Sequence, residues 1–336
     1  MKVCVVGAGA IGGYMAVRLA EAGHDVSAIA RGPHLAAIRA NGLTLLEGDQ
    51  TVVAGALTAT DTMSDVGPQD VVLLALKAHQ IKAVIEDLPA IVGPETVLVT
   101  LQNGIPWWYF QKLGGPYANR VVETVDPGGV LFRAIDPNQV IGCIAYPAAT
   151  VAEPGVIKHI EGNRFPVGEL DGSASERVAM VAALFEEGGF KARVLDDIRS
   201  EIWLKLWGNL TFNPISALTH ATLVDICQFP LSRALAATMM TEAQTIGERL
   251  GASFRVPLER RIAGAESVGK HKTSMLQDVE AGKPLEIDGM LGVVVELAEI
   301  TGVEVPTLRA VYACASLLNR TIQDEGVFIK GRPLTA

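Results

Sequence analysis

Lys205 stands in "EIWLKLWGNLTFNPISAL" (201–218) among Ile202, Trp203, Leu204, Leu206 and Trp207, a setting in which an ammonium is expensive. Asn209 and Asn213 follow at four-residue steps, so on a helix the cation and the two amides share one face. Gly208 lies one turn from Lys205 and beside Asn209. A glycine inside a helix costs roughly 1 kcal/mol relative to Ala, and close approach of a ligand is one reason to keep it. Pro214 removes a backbone donor and kinks the helix after Asn213. As a pocket wall, this face offers a proton donor, because burial lowers a lysine's pKa toward neutrality. A snorkelling lysine with two capping or core asparagines is the other reading of the same residues.

A second stretch with chemistry in it is "KTSMLQDVEAGKPLEIDG" (272–289). Ser274 with Gln277 reads as an S-x-x-Q capping box, and a helix N-terminus also receives carboxylates. Glu286, just after Pro284, is expected in the first turn of the next helix, where a carboxylate also suits the helix dipole.

The third is "GAGAIG" (7–12), a G-x-G-x-x-G turn between a strand and a helix. Gly7, Gly9 and Gly12, with Ala8, Ala10 and Ile11 between them, allow a tight turn and bring backbone N–H groups to a pyrophosphate. Where the second strand ends, an NAD site carries an acid for the ribose diol; here Ala30-Arg31 stands instead, and an arginine suits a 2′-phosphate. Lys77 and Gln80 follow another strand and can reach the ribose phosphate or face solvent. Asn103, in an Asn-Gly turn, ends a further strand at the same sheet edge, where it can meet the nicotinamide ribose or the substrate.

The elements that must position these groups can be read in outline. "KVCVVGAG" (2–9), "DVSAIAR" (25–31), "DVVLLALKA" (70–78) and "TVLVTLQNG" (96–104) are strands, with helices at 10–24 and 79–90. Strands alternating with helices imply βαβ units and a parallel, doubly wound sheet of Rossmann type. From 121 on, "RVVETV", "GGVLFRAI", "VIGCIAYPA", "GVIKHIEG" and "RFPVGEL" read as short strands that extend this sheet, partly antiparallel, followed by a helix at 174–189 and a strand at 190–195. After Asp196 the strand signal fades into helices at about 197–218, 230–250, 255–281, 284–301 and 306–323. The expected fold class is α/β: a Rossmann domain over 1–196 and an all-helical domain over 197–336, with the site in the cleft between them.

Composition narrows the function. A net charge of −9 disfavours a nucleic-acid partner, and no basic block exceeds "KHK" at 270–272. The apolar N-terminus is interrupted by Arg18 and Glu21, unlike a signal peptide, and no membrane span is expected. Cys4, Cys143, Cys227 and Cys314 form no CxxC and have apolar neighbours; reduced, buried thiols of a cytoplasmic protein are expected. The six histidines show no ligand spacing, so no metal site is expected.

Taken together, "GAGAIGG", "LKAHQ", "LQNG", "EIWLKLWGNLTFNPISAL" and "SMLQDVEAGKPLEIDG" resemble, in order, the ketopantoate reductase (2-dehydropantoate 2-reductase) family, over residues 7 to about 306. The resemblance implies NADP as cofactor and reduction of a 2-oxo acid to a 2-hydroxy acid, here ketopantoate to pantoate in pantothenate biosynthesis. It makes Lys205 the proton donor and Asn103, Asn209, Asn213 and Ser274 the substrate-holding residues. Glu286 is placed near both lysine and cofactor; a homodimer is among the assemblies it allows.

Three positions depart from the family pattern. Leu223 stands where its best-known members have an asparagine eighteen residues after the lysine. His271 replaces an asparagine three residues before the serine, and "ETVDPGG" (123–129) replaces a threonine-rich strand end. These positions bear on which 2-oxo acid is reduced, so a different 2-oxo acid is one alternative and a non-catalytic NADPH-binding sensor is another.

Overall fold

The computed structural model describes residues 1–331. The chain divides into two units: residues 1–121 with 128–198, and the segment 122–127 with the chain from Arg199 onward. Each is described by itself.

In the first unit the order is β1 (Lys2–Val6), α1 (Ala10–Glu21), β2 (Asp25–Ile29), α2 (Gly32–Asn41), β3 (Leu43–Glu47), β4 (Gln50–Ala54), β5 (Thr58–Thr60), β6 (Val71–Leu74), α3 (Ala78–Ile81) and β7 (Val97–Thr100). After these come α4 (Val130–Ala134), β8 (Val140–Cys143), β9 (Ala148–Glu153), β10 (Val156–Glu161), β11 (Val167–Glu169), α5 (Glu176–Glu187) and β12 (Val194–Leu195).

The main sheet has eight strands in the order β12-β11-β8-β7-β6-β1-β2-β5. From β8 to β5 every pairing is parallel; β11 runs antiparallel to β8, and β12 parallel to β11. β1, β6 and β7 are apolar and buried along almost their whole length, as central parallel strands covered on both faces must be. A second sheet, β4-β3-β10-β9, packs on the outer side of α1. That is why α1 is apolar nearly all round, with Tyr14, Met15, Ala16, Val17 and Leu19 buried. Gly13 belongs to this packing: a Cβ there would stand 2.7 Å from Cγ1 of Ile157 in β10.

Several sequence expectations fail here for identifiable reasons. "RVVETV" is not a strand: residues 122–127 leave the first unit, and Glu123 and Thr124 donate their N–H groups to the Glu296 carboxylate at 2.8 and 2.7 Å. "GGVLFRAI" forms helix α4, which starts after Gly128 and Gly129, both at positive φ. The β9–β10 hairpin joins the second sheet rather than extending the first, because β10 pairs with β3. The helix expected over 79–90 breaks into α3 and two 3₁₀ turns (Lys82–Val84 and Leu88–Ala90), the latter carrying Pro89. Of "FKARVL" only β12 pairs as a strand.

The second unit contains α6 (Ile198–Thr219), α7 (Leu223–Gln228), α8 (Pro230–Arg249), α9 (Leu258–Ser267) and α10 (Ser274–Glu280). A π-turn, Asp288–Gly292, leads into α11 (Val293–Thr301), and α12 (Pro306–Glu325) follows. Among the described residues no strand follows β12. The helix expected over 255–281 is two, α9 and α10, separated by the Gly269 turn at positive φ. α6 runs on through Pro214 to Thr219. The face of α6 away from Lys205 is anchored by Trp207, buried, whose indole N–H donates to the Met240 carbonyl (2.7 Å) and whose ring meets Phe254 edge-on at 4.9 Å.

All four cysteines are free thiols; Cys4, Cys143 and Cys227 are buried, but Cys314 on α12 is exposed, against expectation. Burial pushes the Cys4 thiol up to about 12, which keeps it protonated and inert. No described helix is long and apolar enough to cross a membrane.

Candidate active site

The glycine turn builds one wall of a cavity of about 380 Å³ in the first unit, lined by Gly7, Ala8, Gly9, Arg31 and Gln80 among others. Its three glycines have three physical duties. Gly7 is at φ +101°, and a Cβ would also press to 2.7 Å on Leu76. At Gly12 a Cβ would overlap the Gly7 carbonyl oxygen and stand 2.8 Å from the Ala75 Cβ, so this glycine lets the helix close on the turn. Gly9 caps α1, and a Cβ there would meet nothing within 4 Å; its empty side opens on the cavity. The Gly7 and Ala8 N–H groups are spent on the Ile29 carbonyl (3.1 and 3.2 Å), tying the turn to β2. That leaves Ala10, Ile11 and Gly12, in the first turn of α1, as the donors a helix cannot satisfy itself. No acid occupies that turn, so its positive end is suited to an anion.

Arg31 is the exposed N-cap of α2, at the end of β2. Gln80 is partly committed: its side-chain oxygen accepts from the Lys77 N–H at 3.2 Å, which caps α3. Lys77 is half-buried at that cap, beside the lining residue Leu76. Asn103, also half-buried, follows β7 at the carboxyl edge, where Leu101 and Gln102 both bond the Leu74 carbonyl.

The sequence reading missed His34, which also lines the cavity. The Gly155 N–H donates to its Nδ1 (3.0 Å), so the bonding pattern assigns the proton to Nε2, which donates to the Ala8 carbonyl at 2.7 Å. His34 therefore braces the glycine turn against the β9–β10 hairpin. A lone histidine three residues after Arg31 carried no local signal of this.

In the second unit, Lys205, Asn209 and Asn213 form one row on α6; the first two are half-buried and Asn213 is buried. Asn213 Nδ2 lies 3.5 Å from Ser274 Oγ and 3.8 Å from Met290 Sδ, so the row ends on the start of α10 and on the π-turn. Ser274 is not the cap. Thr273 is, with its hydroxyl accepting from the Leu276 N–H at 3.3 Å, and Gln277 turns to the Lys272 carbonyl. The Ser274 hydroxyl is thereby released from capping and stays exposed. Thr273→Ala is expected to lower stability by about 1 kcal/mol, the usual worth of such a cap, whereas Ser274→Ala should leave it nearly unchanged. Urea titrations of both variants check this.

Glu286 is half-buried and lies ahead of the π-turn rather than within a helical turn. Two residues on in the chain, Asp288 accepts from the Tyr312 hydroxyl at 2.7 Å, and burial first, then that bond, pushes Tyr312 up to about 12. Leu223 and His271 are neighbours, since the Leu223 N–H donates to the His271 carbonyl at 3.1 Å. Gly208 is filled by protein: a Cβ there would overlap Nη2 of Arg261.

A parallel sheet with a glycine-turn cavity at its carboxyl edge, joined to an all-helical unit bearing a lysine–amide row, defines a dinucleotide-binding oxidoreductase. Residues 3–172 match the family described as "Ketopantoate reductase PanE/ApbA" and 197–319 its C-terminal part. A 2-dehydropantoate 2-reductase from Mesorhizobium japonicum is 50% identical, covering 98% of this chain and 100% of its own. The crystal structure of a putative ketopantoate reductase from Ralstonia solanacearum superimposes with a TM-score of 0.91 at 38% identity, covering 96% of this chain and 98% of its own. A D-mandelate dehydrogenase solved with NADH and anilino(oxo)acetate shares the fold, with a TM-score of 0.81 at 21% identity over 96% of this chain and 100% of its own. The chain belongs to the ketopantoate reductase family, whose members work with a nicotinamide cofactor.

Proposed function

We propose that this protein reduces a 2-oxo acid to the 2-hydroxy acid with NADPH, and that its substrate is 2-dehydropantoate, giving pantoate in pantothenate biosynthesis. The observation that carries this reading is the row Lys205–Asn209–Asn213 ending on the released hydroxyl of Ser274. The Mesorhizobium relative's name supports the choice of substrate.

NADPH, when bound, supplies a hydride to the 2-carbon. The first-turn N–H groups at Ala10, Ile11 and Gly12 would receive the pyrophosphate, with Gly7, Ala8 and Gly9 shaping the turn. Arg31, with Lys77 and Gln80 nearby, would hold the ribose 2′-phosphate. As the carbonyl oxygen becomes an alkoxide, the Lys205 Nζ would stabilise the charge and then give up its proton. Asn209, Asn213, Ser274 and Asn103 would fix the substrate, and Glu286 would sit against the lysine and the nicotinamide ribose.

The test is the fall of NADPH absorbance with pyruvate, 2-oxoisovalerate, phenylpyruvate and ketopantoate in turn. Turnover of another member but not ketopantoate would move the chain to a different 2-oxo acid, and no turnover at all would leave an NADPH-binding protein without this chemistry. Arg31→Ala should raise the Kd for NADPH about 10–100-fold, as loss of charged hydrogen bonds does, while changing NADH binding little. Fluorescence titration with both cofactors decides it, and equal losses would remove the 2′-phosphate role.

A further inference from the structure

His34 lines the cavity at the glycine turn, yet both of its ring nitrogens are committed to protein. Nε2 meets the Ala8 carbonyl at 2.7 Å, and Nδ1 the Gly155 N–H at 3.0 Å. The three residues come from three parts of the first unit: the turn after β1, the first turn of α2 and the tip of the β9–β10 hairpin. A neutral imidazole has one donor and one acceptor, so this ring has no hydrogen bond left for a phosphate. What it contributes to the cavity, it contributes through the groups it holds.

The hairpin end of this link is itself fixed. Gly155 stands at φ +80°, and a Cβ there would lie 3.0 Å from the Ala37 Cβ and 3.4 Å from the Ala37 carbonyl carbon, both on α2. Its carbonyl accepts from the Thr44 N–H of β3 at 2.9 Å, and β10 pairs with β3 directly after it. The tip is thus seated on α2 and bonded to the second sheet. From that anchor His34 reaches the glycine turn.

At the other end, the Ala8 carbonyl is an acceptor on a residue that lines the cavity. A carbonyl oxygen turned into the cavity would repel a pyrophosphate. The bonds to the Ile29 carbonyl hold the N–H groups of Gly7 and Ala8, which belong to the two preceding peptides. The Ala8–Gly9 peptide is held by His34. Because that peptide is planar and trans, keeping its carbonyl on the imidazole sends the Gly9 N–H to the opposite side. A leucine at 34 would fill the space and leave the Ala8 carbonyl and the Gly155 N–H without this partner.

We propose that His34 is a positioning residue for the dinucleotide: by tying the Ala8–Gly9 peptide to the hairpin it sets the glycine turn for the pyrophosphate, so that the second sheet governs cofactor affinity. The inference rests on the dinucleotide-binding part of the function above, and not on the choice of 2-oxo acid. The pyrophosphate is common to NADPH and NADH, so His34 serves both alike, whereas Arg31 is the residue expected to tell them apart. Gly155 acts one step further out, since it seats the hairpin from which His34 is held.

The experiment is a fluorescence titration of the full chain with NADPH and with NADH, well below the Tm of each variant. His34→Leu should weaken both cofactors about 10-fold, the worth of an ordinary hydrogen bond or two, and leave their ratio at the wild-type value. His34→Gln, which keeps a donor and an acceptor, should lose less. Gly155→Ala, outside the cavity lining, should weaken both in the same proportion by unseating the hairpin. In the cofactor-free chain, amide hydrogen exchange over residues 7–12 should quicken in His34→Leu. A loss confined to NADPH would overturn the proposal, because it marks a direct contact with the 2′-phosphate. So would unchanged exchange at the turn, or a lowered Tm with both affinities intact, which is the signature of a purely structural link. A wild type that binds neither cofactor removes the dinucleotide reading and this proposal with it. One that binds them through His34 yet reduces no 2-oxo acid removes the proposed function and leaves this assignment standing.

Discussion

Lys205→Ala is expected to lower kcat by about 10²–10⁴-fold, the range lost with a general acid, while NADPH affinity stays near wild type. The proton must come from a side chain that can release one to the developing alkoxide. On the row proposed to face the substrate, the two amides cannot do this, whereas the half-buried ammonium can. The affinity should hold because the groups proposed for the dinucleotide all belong to the first unit except Glu286. Asn209→Ala should cost less than Lys205→Ala, since an orienting amide moves no proton. A purely structural lysine gives the reverse pattern, with a shifted Tm and kcat/KM close to wild type. Both quantities come from one purified variant, and a normal kcat would end the proton-donor assignment.

The second large effect is expected at the glycine turn, where two neighbouring glycines should respond with opposite signs in stability. In Gly12→Ala the new methyl meets the Gly7 carbonyl oxygen, the Ala75 Cβ at 2.8 Å and the Val5 Cγ1 at 3.0 Å. None of these can swing aside, so the turn or the helix must shift. Overpacking of this kind costs about 1–3 kcal/mol, occasionally more. The N–H donors move with the backbone, so NADPH binding should largely disappear. In Gly9→Ala the methyl meets nothing within 4 Å, and the backbone, at φ −71°, is open to any L residue. Restricting the unfolded chain should raise stability by about 0.4–1 kcal/mol, while the methyl intrudes on the cavity and weakens the cofactor. Thermal unfolding with and without NADPH separates the two. A Gly12→Ala protein with wild-type Tm and affinity would refute the account of the turn.

What was legible in the sequence was what is local. The strand, glycine turn and helix at 2–21 are contiguous, and each residue's duty follows from its neighbours. The row on α6 was legible because helical spacing alone puts residues four apart on one face. Where tertiary contacts decide, the reading failed. Thr273 and Ser274 are both good caps, and only the Asn213 amide at the serine shows which of them is free for other work. "RVVETV" has strand composition, but its N–H groups go to a carboxylate on α11 instead of a neighbouring strand. His34 was invisible for the same reason: the glycine turn and the hairpin that it ties together lie far from it in the chain.

The clamp of Glu296 on Glu123 and Thr124 has a consequence for how the chain is made. The bonds span 173 and 172 positions, so when residues 122–127 leave the ribosome their acceptor has not been synthesised. Closing so long a loop adds little to the equilibrium cost, which grows only logarithmically with length, but non-local contacts slow folding. During synthesis, residues 128–198 can complete the main sheet with β8, β11 and β12 while 122–127 waits as an unclosed excursion. The helical unit is thus assembled around a strap translated well before it, and a fragment beginning at Arg199 would emerge with Glu296 lacking the two amides it holds in the whole chain.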